Sequence, residues 1–346
     1  MLKAFNKAEL TFDLIKEIGQ DGKNSQTFVA KDHQLDADIV IKRIEKKKLK
    51  DPLEFFSESK ALYTSAHPNV VQIHYACEDA DYVYLALPYY SKGAVNRLIT
   101  NQNMTVREIV TAGCQVLSGL HNIHSKGLVH FDIKPDNILL SNRGEALLSD
   151  FGLAKHMVSG FATPNGIYTP MVPPEVLSKK AFDQTFDIYQ FGLTLYRMCN
   201  GNEVFYEQLA AYGTPAVFDA GRFTTDVLAG TFPNRKIFAP HVPAKLKNVV
   251  KRCLKIASGD RYQSAIEVAN ALATVEGETL DWRLTVAGGV KTWTKDKSGT
   301  VITLALAADG SAQCHKRVGA GDPRRVREMC KPAATMQEVS SFLGSN

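Results

Sequence analysis

The hydrophobic pattern changes its period part-way along the chain, and this change constrains the fold more than any other feature of the sequence. Residues 36–44, DADIVIKRI, alternate apolar and polar side chains, as strands that bury one face do. Residues 104–127 instead space their apolar side chains as an amphipathic helix does, and Gly127 is placed to end that helix. Since strand-rich sequence precedes helix-rich sequence, we expect an α+β molecule with two lobes and a cleft between them.

Shorter patterns fill in both lobes. Residues 52–65 have helical spacing that begins at Pro52, and residues 70–90 predict two strands joined by the acidic turn EDAD. Residues 1–90 are therefore predicted to form a small strand-rich lobe that ends in a hinge, and residues 91–278 a larger helical lobe.

Residues 281–346 have a different texture and are predicted to be a separate small module. Strand-like alternation returns there, Asp309-Gly310 is a hairpin signal, and Thr335 with Glu338 predicts a capping box on a last short helix. This stretch holds ten Lys or Arg and six Asp or Glu, a net +4 of the chain's +5. Its basic and aromatic content makes binding of a protein partner the favoured role, and binding of nucleic acid unlikely; a structural or regulatory role is the other alternative.

Composition excludes several classes of protein. No apolar run is long enough to predict a transmembrane helix, and the first residues lack the apolar core of a signal peptide. The six cysteines are scattered without a C-x-x-C pair, so we expect free thiols rather than a zinc site or disulfides. Together these features predict a cytoplasmic protein without a membrane association.

Two segments of the strand-rich region carry groups suited to phosphate chemistry. Lys42, on the strand 36–44, can reach phosphate oxygens, and Glu58 on the following helix can pair with it and hold the ammonium in place. Each of these residues alone is a weak signal, because a strand lysine is usually solvated.

Two segments of the helical region supply the complementary groups. In HFDIKPDN, residues 130–137, Asp132 would accept the proton of an attacking hydroxyl, Lys134 would steady the transferring phosphate, and Asn137 would bind a metal. In SDFGLAK, Asp150 would hold Mg²⁺ between the phosphates of a nucleotide. The order and spacing of all four segments make coincidence improbable.

With these motifs the chain resembles the eukaryotic-like (Hanks-type) serine/threonine protein kinases, bacterial members in particular, over about residues 10–275. HPNVVQIH, VPPEVL, DIYQFGLTLY and GDRYQSAIEVANAL match further segments of that family. The resemblance implies a bilobal kinase fold, ATP and Mg²⁺ as ligands, and a protein substrate phosphorylated on serine or threonine. It also implies a pair between Glu175 and Arg261, and a role for Asp187 in anchoring the catalytic loop.

The resemblance further implies where ATP lies. Val40 and Leu139 are expected to sandwich the adenine, Leu87 to be the gatekeeper, and the Pro88 carbonyl and Tyr90 amide to face the adenine edge. Proline suits its position because only a carbonyl is needed there. Three residues are expected to stack as an apolar spine, namely Leu62, His130 and Phe151.

Three departures from the family pattern bear on activity. The glycine-rich loop retains only Gly19 and Gly22, so we expect weaker clamping of the nucleotide. Phe131 stands where many members have an arginine that binds a phosphate on the activation segment, and a phenylalanine has no donor for that task. In GIYTPMVPPE the register is one residue off, and Thr169 is expected to be the threonine near Asp132 and Lys134.

These observations predict a protein kinase whose activity does not require phosphorylation of the activation segment. Three hydroxyls of that segment are candidate autophosphorylation sites, namely Ser159, Thr163 and Tyr168. The first alternative is a pseudokinase scaffold that recruits partners through residues 281–346, which the poor glycine loop favours. The second is a kinase of a small molecule, which the long activation segment disfavours.

Overall fold

The computed structural model describes residues 10–18, 25–48, 56–101 and 103–346. Gly19 and Gly22, the two predicted phosphate-loop glycines, lie outside these ranges, as does Pro52. Asn101 and Glu278 are described in their backbone alone.

The first lobe is built on a five-stranded antiparallel sheet with one helix. Its strands follow the order β1-β2-β3-β5-β4. They are β1 (Phe12–Ile18), β2 (Ser25–Asp32), β3 (Ala37–Glu45), β4 (Tyr75–Glu78) and β5 (Tyr82–Pro88), and helix α1 (Ser57–Thr64) lies between β3 and β4 in the chain. Alternation in β3 buries Ile39 and Ile41 on one face and leaves Lys42 on the other. The predicted strands 36–44 and 70–90 are thus confirmed.

The second lobe is helical. Its helices are α2 (Val95–Asn101), α3 (Val106–Ser125), α4 (Thr185–Ala210), α5 (Ala220–Ala229), α6 (Ala244–Cys253) and α7 (Ala265–Ala273). Three two-stranded sheets accompany them, formed by β6 (Leu128–Val129) with β9 (Lys155–His156), β7 (Ile138–Leu140) with β8 (Ala146–Leu148), and β10 (Gly213–Thr214) with β11 (Val217–Phe218). The expected two-lobed α+β fold is therefore confirmed.

Helix α3 shows why its sequence forms a helix. Thr105 and Glu108 make a reciprocal capping box at its start, with 3.2 Å and 2.8 Å between donor and acceptor atoms. Its apolar stripe, including Ile109, Val116 and Leu120, is fully buried. Gly127 follows the helix with a φ of 74°, the left-handed conformation that glycine adopts readily.

A glycine allows helices α4 and α6 to approach each other closely. A Cβ atom on Gly192, in α4, would lie 2.6 Å from the Cβ atom of Cys253, in α6. Any larger residue would therefore force α4 and α6 apart. This contact matters for the site because α4 also carries Asp187.

Residues 281–346, which we call the C-terminal module, form a second five-stranded sheet covered by one helix. The strands are β12 (Arg283–Ala287), β13 (Val290–Lys297), β14 (Thr300–Leu306), β15 (Ala312–Val318) and β16 (Arg324–Arg325), in sequential antiparallel order, and the helix is α8 (Met336–Ser345). One buried row crosses four strands, with Leu284, Trp293, Leu304 and Cys314 in register. Thr335 and Glu338 form the predicted capping box on α8.

The module packs against the helical lobe through polar contacts. Trp293 donates from Nε1 to Nδ1 of His241 at 3.2 Å, and Ser340 donates to the Pro240 carbonyl at 3.0 Å. Arg107 in α3 also pairs with Asp281 across this seam between lobe and module, at 2.6 Å. Among the described helices, none combines the length and apolar character needed to span a bilayer.

Candidate active site

Lys42 is the centre of an ion-pair network between the two lobes. Its ammonium lies 2.7 Å and 2.9 Å from the carboxylate oxygens of Glu58 and 2.8 Å from Oδ1 of Asp150. Strand β3 directs Lys42 toward the first turn of α1, where Glu58 lies, and this geometry is the one predicted from the sequence. The residue from the helical lobe, Asp150, has a φ of 60°.

Charge and burial determine the protonation of this network. Burial alone would lower the pKa of Lys42, but Asp150 and Glu58 outweigh burial, and the pKa is raised above its ordinary value. The charge of Lys42 holds the pKa of Asp150 well below the usual range of a carboxyl. Burial raises the pKa of Glu58 despite the opposing effect of Lys42. The pair Lys42 and Asp150 is therefore fully charged at neutral pH.

The catalytic loop brings together the three residues that the sequence singled out. Lys134 donates to Oδ2 of Asp132 at 2.8 Å, and Asn137 donates from Nδ2 to the same oxygen at 2.8 Å and to the Asp132 carbonyl at 2.9 Å. The other carboxylate oxygen of Asp132, Oδ1, is buried and has no hydrogen-bond partner among the described residues. A buried acceptor with a free lone pair is suited to take a hydrogen bond, and then a proton, from a hydroxyl.

Asp187 fixes the backbone of this loop from helix α4. Its carboxylate accepts from the backbone N–H groups of His130 and Phe131, each at 2.8 Å, and contacts Nε2 of His124 at 2.8 Å. Asp187 is fully buried, so each of these bonds acts in a low dielectric. The anchoring role implied by the family resemblance is confirmed.

Two further residues support the site, and the sequence analysis missed both. Gln190 accepts from the Ile133 N–H at 2.9 Å and donates to the Phe131 carbonyl at 3.1 Å. Arg197, fully buried, donates to Asn202 at 2.8 Å and lies 3.9 Å from Asp136. A signal for Arg197 was present, because it is the one charged residue within the apolar run GLTLYRMC.

Phe131 is fully buried in a cluster that also contains residues from the activation segment. Its ring lies 4.9 Å from that of Phe186, which lies 5.1 Å from that of Phe182. We call this group the aromatic cluster, and its buried members are Val129, Phe131, Ala162, Phe182 and Phe186. Ala162 and Phe182 also exchange two backbone hydrogen bonds of 2.8 Å, which tie the middle of the segment to the residues just before α4.

The activation segment corrects one expectation. Tyr168, not Thr169, lies against the catalytic loop, with its ring centroid 4.8 Å from the ammonium of Lys134. Thr169 is exposed and has no hydrogen bond to Asp132 or Lys134 in the described chain. The register of GIYTPMVPPE, one residue off the pattern that the resemblance implies, is consistent with Tyr168 in that place. Ser159 and Thr163 are exposed.

The end of the segment is held by the distant pair that the resemblance implied. Arg261 donates to both carboxylate oxygens of Glu175, at 2.8 Å and 2.6 Å. It also donates to three backbone carbonyls, those of Thr185, Lys255 and Ile256. Such a fully satisfied, buried guanidinium fixes the chain on both sides.

The residues expected around the adenine are all partly exposed. Val40 in β3 pairs with Leu87 in β5, and Ile39 pairs with Pro88 in the same ladder. Leu139 lies in β7, on the helical lobe, and Tyr90 follows the end of β5. His130 and Phe151, of the expected spine, meet edge to face with 4.9 Å between ring centroids, and Leu62 is buried in the main core.

The oxygen donors near Asp132 fit a divalent cation. Asn137 uses its Nδ2 for Asp132, which leaves its amide oxygen for a ligand, and Asp150 is ionised with only Oδ1 engaged by Lys42. A carboxylate and an amide oxygen are ligands that Mg²⁺ accepts, with water and phosphate oxygens completing its shell.

Comparison with known proteins agrees with this geometry. The family model described as a protein kinase domain matches residues 12–272. Calcium/calmodulin-dependent protein kinase type 1 of Macrobrachium nipponense is 30% identical over 259 residues, which are 72% of this chain and 71% of that protein. Serine/threonine-protein kinase Sgk1 of Fundulus heteroclitus is 30% identical over 211 residues, covering 58% and 48%.

A bacterial relative matches a longer part of the chain. Serine/threonine-protein kinase PknK of Mycobacterium bovis is 27% identical over 275 residues, which are 78% of this chain but only 24% of that protein. The chain thus spans about half of Sgk1 and a quarter of PknK. Because the family match extends over most of the chain, and the matched residues assemble into this one site, the chain belongs to the protein kinase family.

Proposed function

We propose that the protein transfers the γ-phosphoryl group of Mg-ATP to serine or threonine hydroxyls of protein substrates. The observation that carries the proposal is the buried, unpartnered Oδ1 of Asp132, beside a lysine and two oxygen donors suited to a metal. In this scheme Asp132 accepts the hydroxyl proton, and Lys134 neutralises charge on the transferring group.

The other predicted residues bind the nucleotide. Lys42, positioned by Glu58, holds the α- and β-phosphates, while Asn137 and Asp150 hold Mg²⁺. The metal, when bound, neutralises phosphate charge. The adenine and phosphate contacts are assigned to Val40, Leu87, Pro88, Tyr90, Leu139, Gly19 and Gly22. Specificity for serine and threonine follows from Lys134, two residues after the base, as in the serine/threonine subgroup.

Activity without a phosphate on the activation segment is part of the proposal. Phe131 cannot bind a phosphate, and it packs in the aromatic cluster with Ala162 of that segment and with Phe182 and Phe186, which follow the segment. Packing of Leu153, Ala162 and Ile167 of the segment against these buried rings orders it by the hydrophobic effect, a task that an arginine and a phosphate share in other kinases. The proposed location of the protein is the cytoplasm, as the sequence predicts.

A radiolabel assay tests the transfer reaction. Wild-type protein with γ-labelled ATP, Mg²⁺ and a generic basic protein should give labelled substrate, whereas Asp132→Asn should lose nearly all of the signal. Phosphoamino-acid analysis should find phosphoserine and phosphothreonine. Equal labelling by the two proteins, with the same melting temperature, would refute the proposal.

Phosphatase treatment tests the independence from segment phosphorylation. Wild-type protein stripped of phosphate, checked by mass spectrometry at Ser159, Thr163 and Tyr168, should keep its initial rate from the first minutes. A lag that disappears after preincubation with ATP would show instead that autophosphorylation is required.

A pseudokinase scaffold is the second candidate, because the loop predicted to cover the phosphates has only two glycines. The two candidates differ in whether Mg-ATP binds productively. Ligand at a hundred times its Kd stabilises a native state by about 2.7 kcal/mol, so a kinase should melt at a higher temperature with Mg-ATP. Asp150→Asn, which weakens the metal site, is the control. No shift in the wild type would favour the scaffold.

A further inference from the structure

A group of positive side chains occupies one edge of the C-terminal sheet, and the proposed catalytic roles do not use it. It consists of Lys316 and Arg317 in β15, Arg324 and Arg325 in β16, and Arg327 just beyond, and we call it the basic edge. All five side chains are exposed. Five of the module's ten Lys and Arg residues thus lie between positions 316 and 327.

The register of the sheet places these charges against one another. Lys316 lies directly opposite Arg324. Like charges at paired positions of two strands destabilise a sheet. None of the five basic side chains forms an ion pair within residues 281–346, all of whose backbone is described, although this stretch has six acidic residues. The sheet therefore retains a repulsion that a bound anion would relieve.

The chemistry of a neighbouring thiol indicates the same preference for negative charge. Sγ of Cys330 accepts from the backbone N–H of Cys314 at 3.4 Å. This contact first, and then the Arg325 side chain, lower the pKa of Cys330 from its usual value. The charge of Arg325 thus favours the thiolate form of this neighbouring group.

The remaining side chains of the module distinguish between classes of anionic partner. Its tryptophans and phenylalanine, Trp282, Trp293 and Phe342, are all buried. The basic edge therefore offers no tryptophan, tyrosine or phenylalanine ring on which a nucleobase can stack or that can anchor in a lipid interface. An edge strand, in contrast, presents backbone groups to which an extended peptide can pair.

We propose that the basic edge is a docking site for an extended, acidic segment of a partner protein. That such a partner is a substrate or a regulator of this kinase rests on the proposed function, whereas its binding at the basic edge does not. Carboxylates at every second residue of the partner would lie on one face of its strand, and there they would meet Lys316 and Arg324.

Fluorescence anisotropy with a defined probe tests the proposal. The probe is a labelled peptide of alternating glutamate and threonine, and its control has glutamine in place of glutamate. All measurements use the full chain carrying Asp132→Asn, so that binding is read without catalysis. We expect binding of the acidic peptide only, weakened by added salt because the charges are exposed.

Matched charge reversals locate the binding site. Arg324→Glu with Arg325→Glu should weaken binding at least about tenfold, because attraction is replaced by repulsion. Lys251→Glu with Lys255→Glu, two exposed lysines on the helical lobe, changes the net charge equally and should leave binding unchanged. If the first variant has a lowered melting temperature, Arg324→Gln with Arg325→Gln replaces it and should also weaken peptide binding, by a smaller factor.

Three outcomes would overturn the proposal. The first is no binding by the wild type at low salt, and the second is an equal loss of binding in both reversals. The third is tighter binding of single-stranded RNA or phosphatidylserine vesicles than of the peptide, with that binding lost in the edge variant. A failed kinase assay with intact peptide binding would refute the proposed function and leave the docking site in place.

Discussion

Phe131 combines three properties that together define how the catalytic loop is held. Its backbone N–H donates to Asp187, its φ of 66° is unusual for a large side chain, and its ring is fully buried. A position with positive φ persists only where its surroundings determine it. The hydrogen bond to Asp187 and the packing in the aromatic cluster together hold Phe131 in this conformation.

Truncation of Phe131 should therefore cost stability. Phe131→Ala removes a buried ring from the aromatic cluster and should lower the free energy of unfolding by about 3–5 kcal/mol. Chemical denaturation of the purified protein measures this change. Phe161→Ala, on the activation segment and 51% exposed, should change it by no more than about 0.5 kcal/mol. Similar losses in both variants would contradict the assigned packing.

Tyr168 should contribute to turnover by positioning Lys134. The contact between ring and ammonium is worth about 0.5–1 kcal/mol, so Tyr168→Ala should reduce kcat by about two- to fivefold. Tyr168→Phe keeps the ring and should retain most of the rate. Tyr63→Ala, at a tyrosine that is 77% exposed on α1, is the control. A larger effect on KM than on kcat would indicate a role in binding substrate instead.

Individual residues differ in how far the sequence could predict them. The contact between Lys42 and Glu58 was predictable because a strand and the next helix carry them, and periodicity fixes both faces. The place of Tyr168 was not, because no periodicity sets the register of an irregular segment with an extra residue. Gly19 and Gly22 lie outside the described residues, so their role remains a prediction.

At the level of elements, the helical lobe is joined by buried charges rather than by packing alone. Arg261 links the turn after α6 to Glu175 and to the start of α4. Asp187 links α4 to the end of α3 and to the catalytic loop. Sequence patterns predicted the helices, since their stripes are apolar, but such links join residues far apart in the chain and only the family resemblance indicated them.

Arg261 and Arg107 should differ in how much each contributes to the free energy of unfolding. Arg261→Ala leaves Glu175 without its partner, and it should cost about 3–5 kcal/mol of unfolding free energy. Arg107→Ala breaks the partly exposed pair with Asp281 and should cost about 1 kcal/mol or less. Thermal and urea unfolding under the same conditions compare the two. Equal losses would mean that burial does not set the strength of these pairs.

Across the whole molecule, the seam between the helical lobe and the C-terminal module depends on a neutral histidine. Burial lowers the pKa of His241 to about 4, and its Nδ1 accepts from Trp293. The pKa of this histidine is about 6.5 in the unfolded chain. Between pH 4 and pH 6.5 the unfolded chain therefore binds a proton at His241 that the folded chain does not bind. Stability therefore rises with pH across this window and is lost on acidification.

The pH dependence follows directly. Between pH 7 and pH 5 the contribution of His241 should fall by about 2 kcal/mol, since each pKa unit corresponds to about 1.4 kcal/mol. His241→Gln should flatten that part of the stability profile, whereas His121→Gln, at an exposed site, should not. Denaturation midpoints at several pH values measure the slope. An unchanged slope in His241→Gln would contradict a buried neutral imidazole at the seam.

The positions of the two tryptophans, both buried in the C-terminal module, have a spectroscopic consequence. Emission excited at the red edge of the tryptophan band arises from that module and its seam alone, since the catalytic lobes contain only tyrosine and phenylalanine as natural fluorophores. Far-ultraviolet circular dichroism, in contrast, is dominated by the helices of the catalytic region. Followed together during heating, the two signals distinguish release of the module from unfolding of the catalytic lobes without any added label.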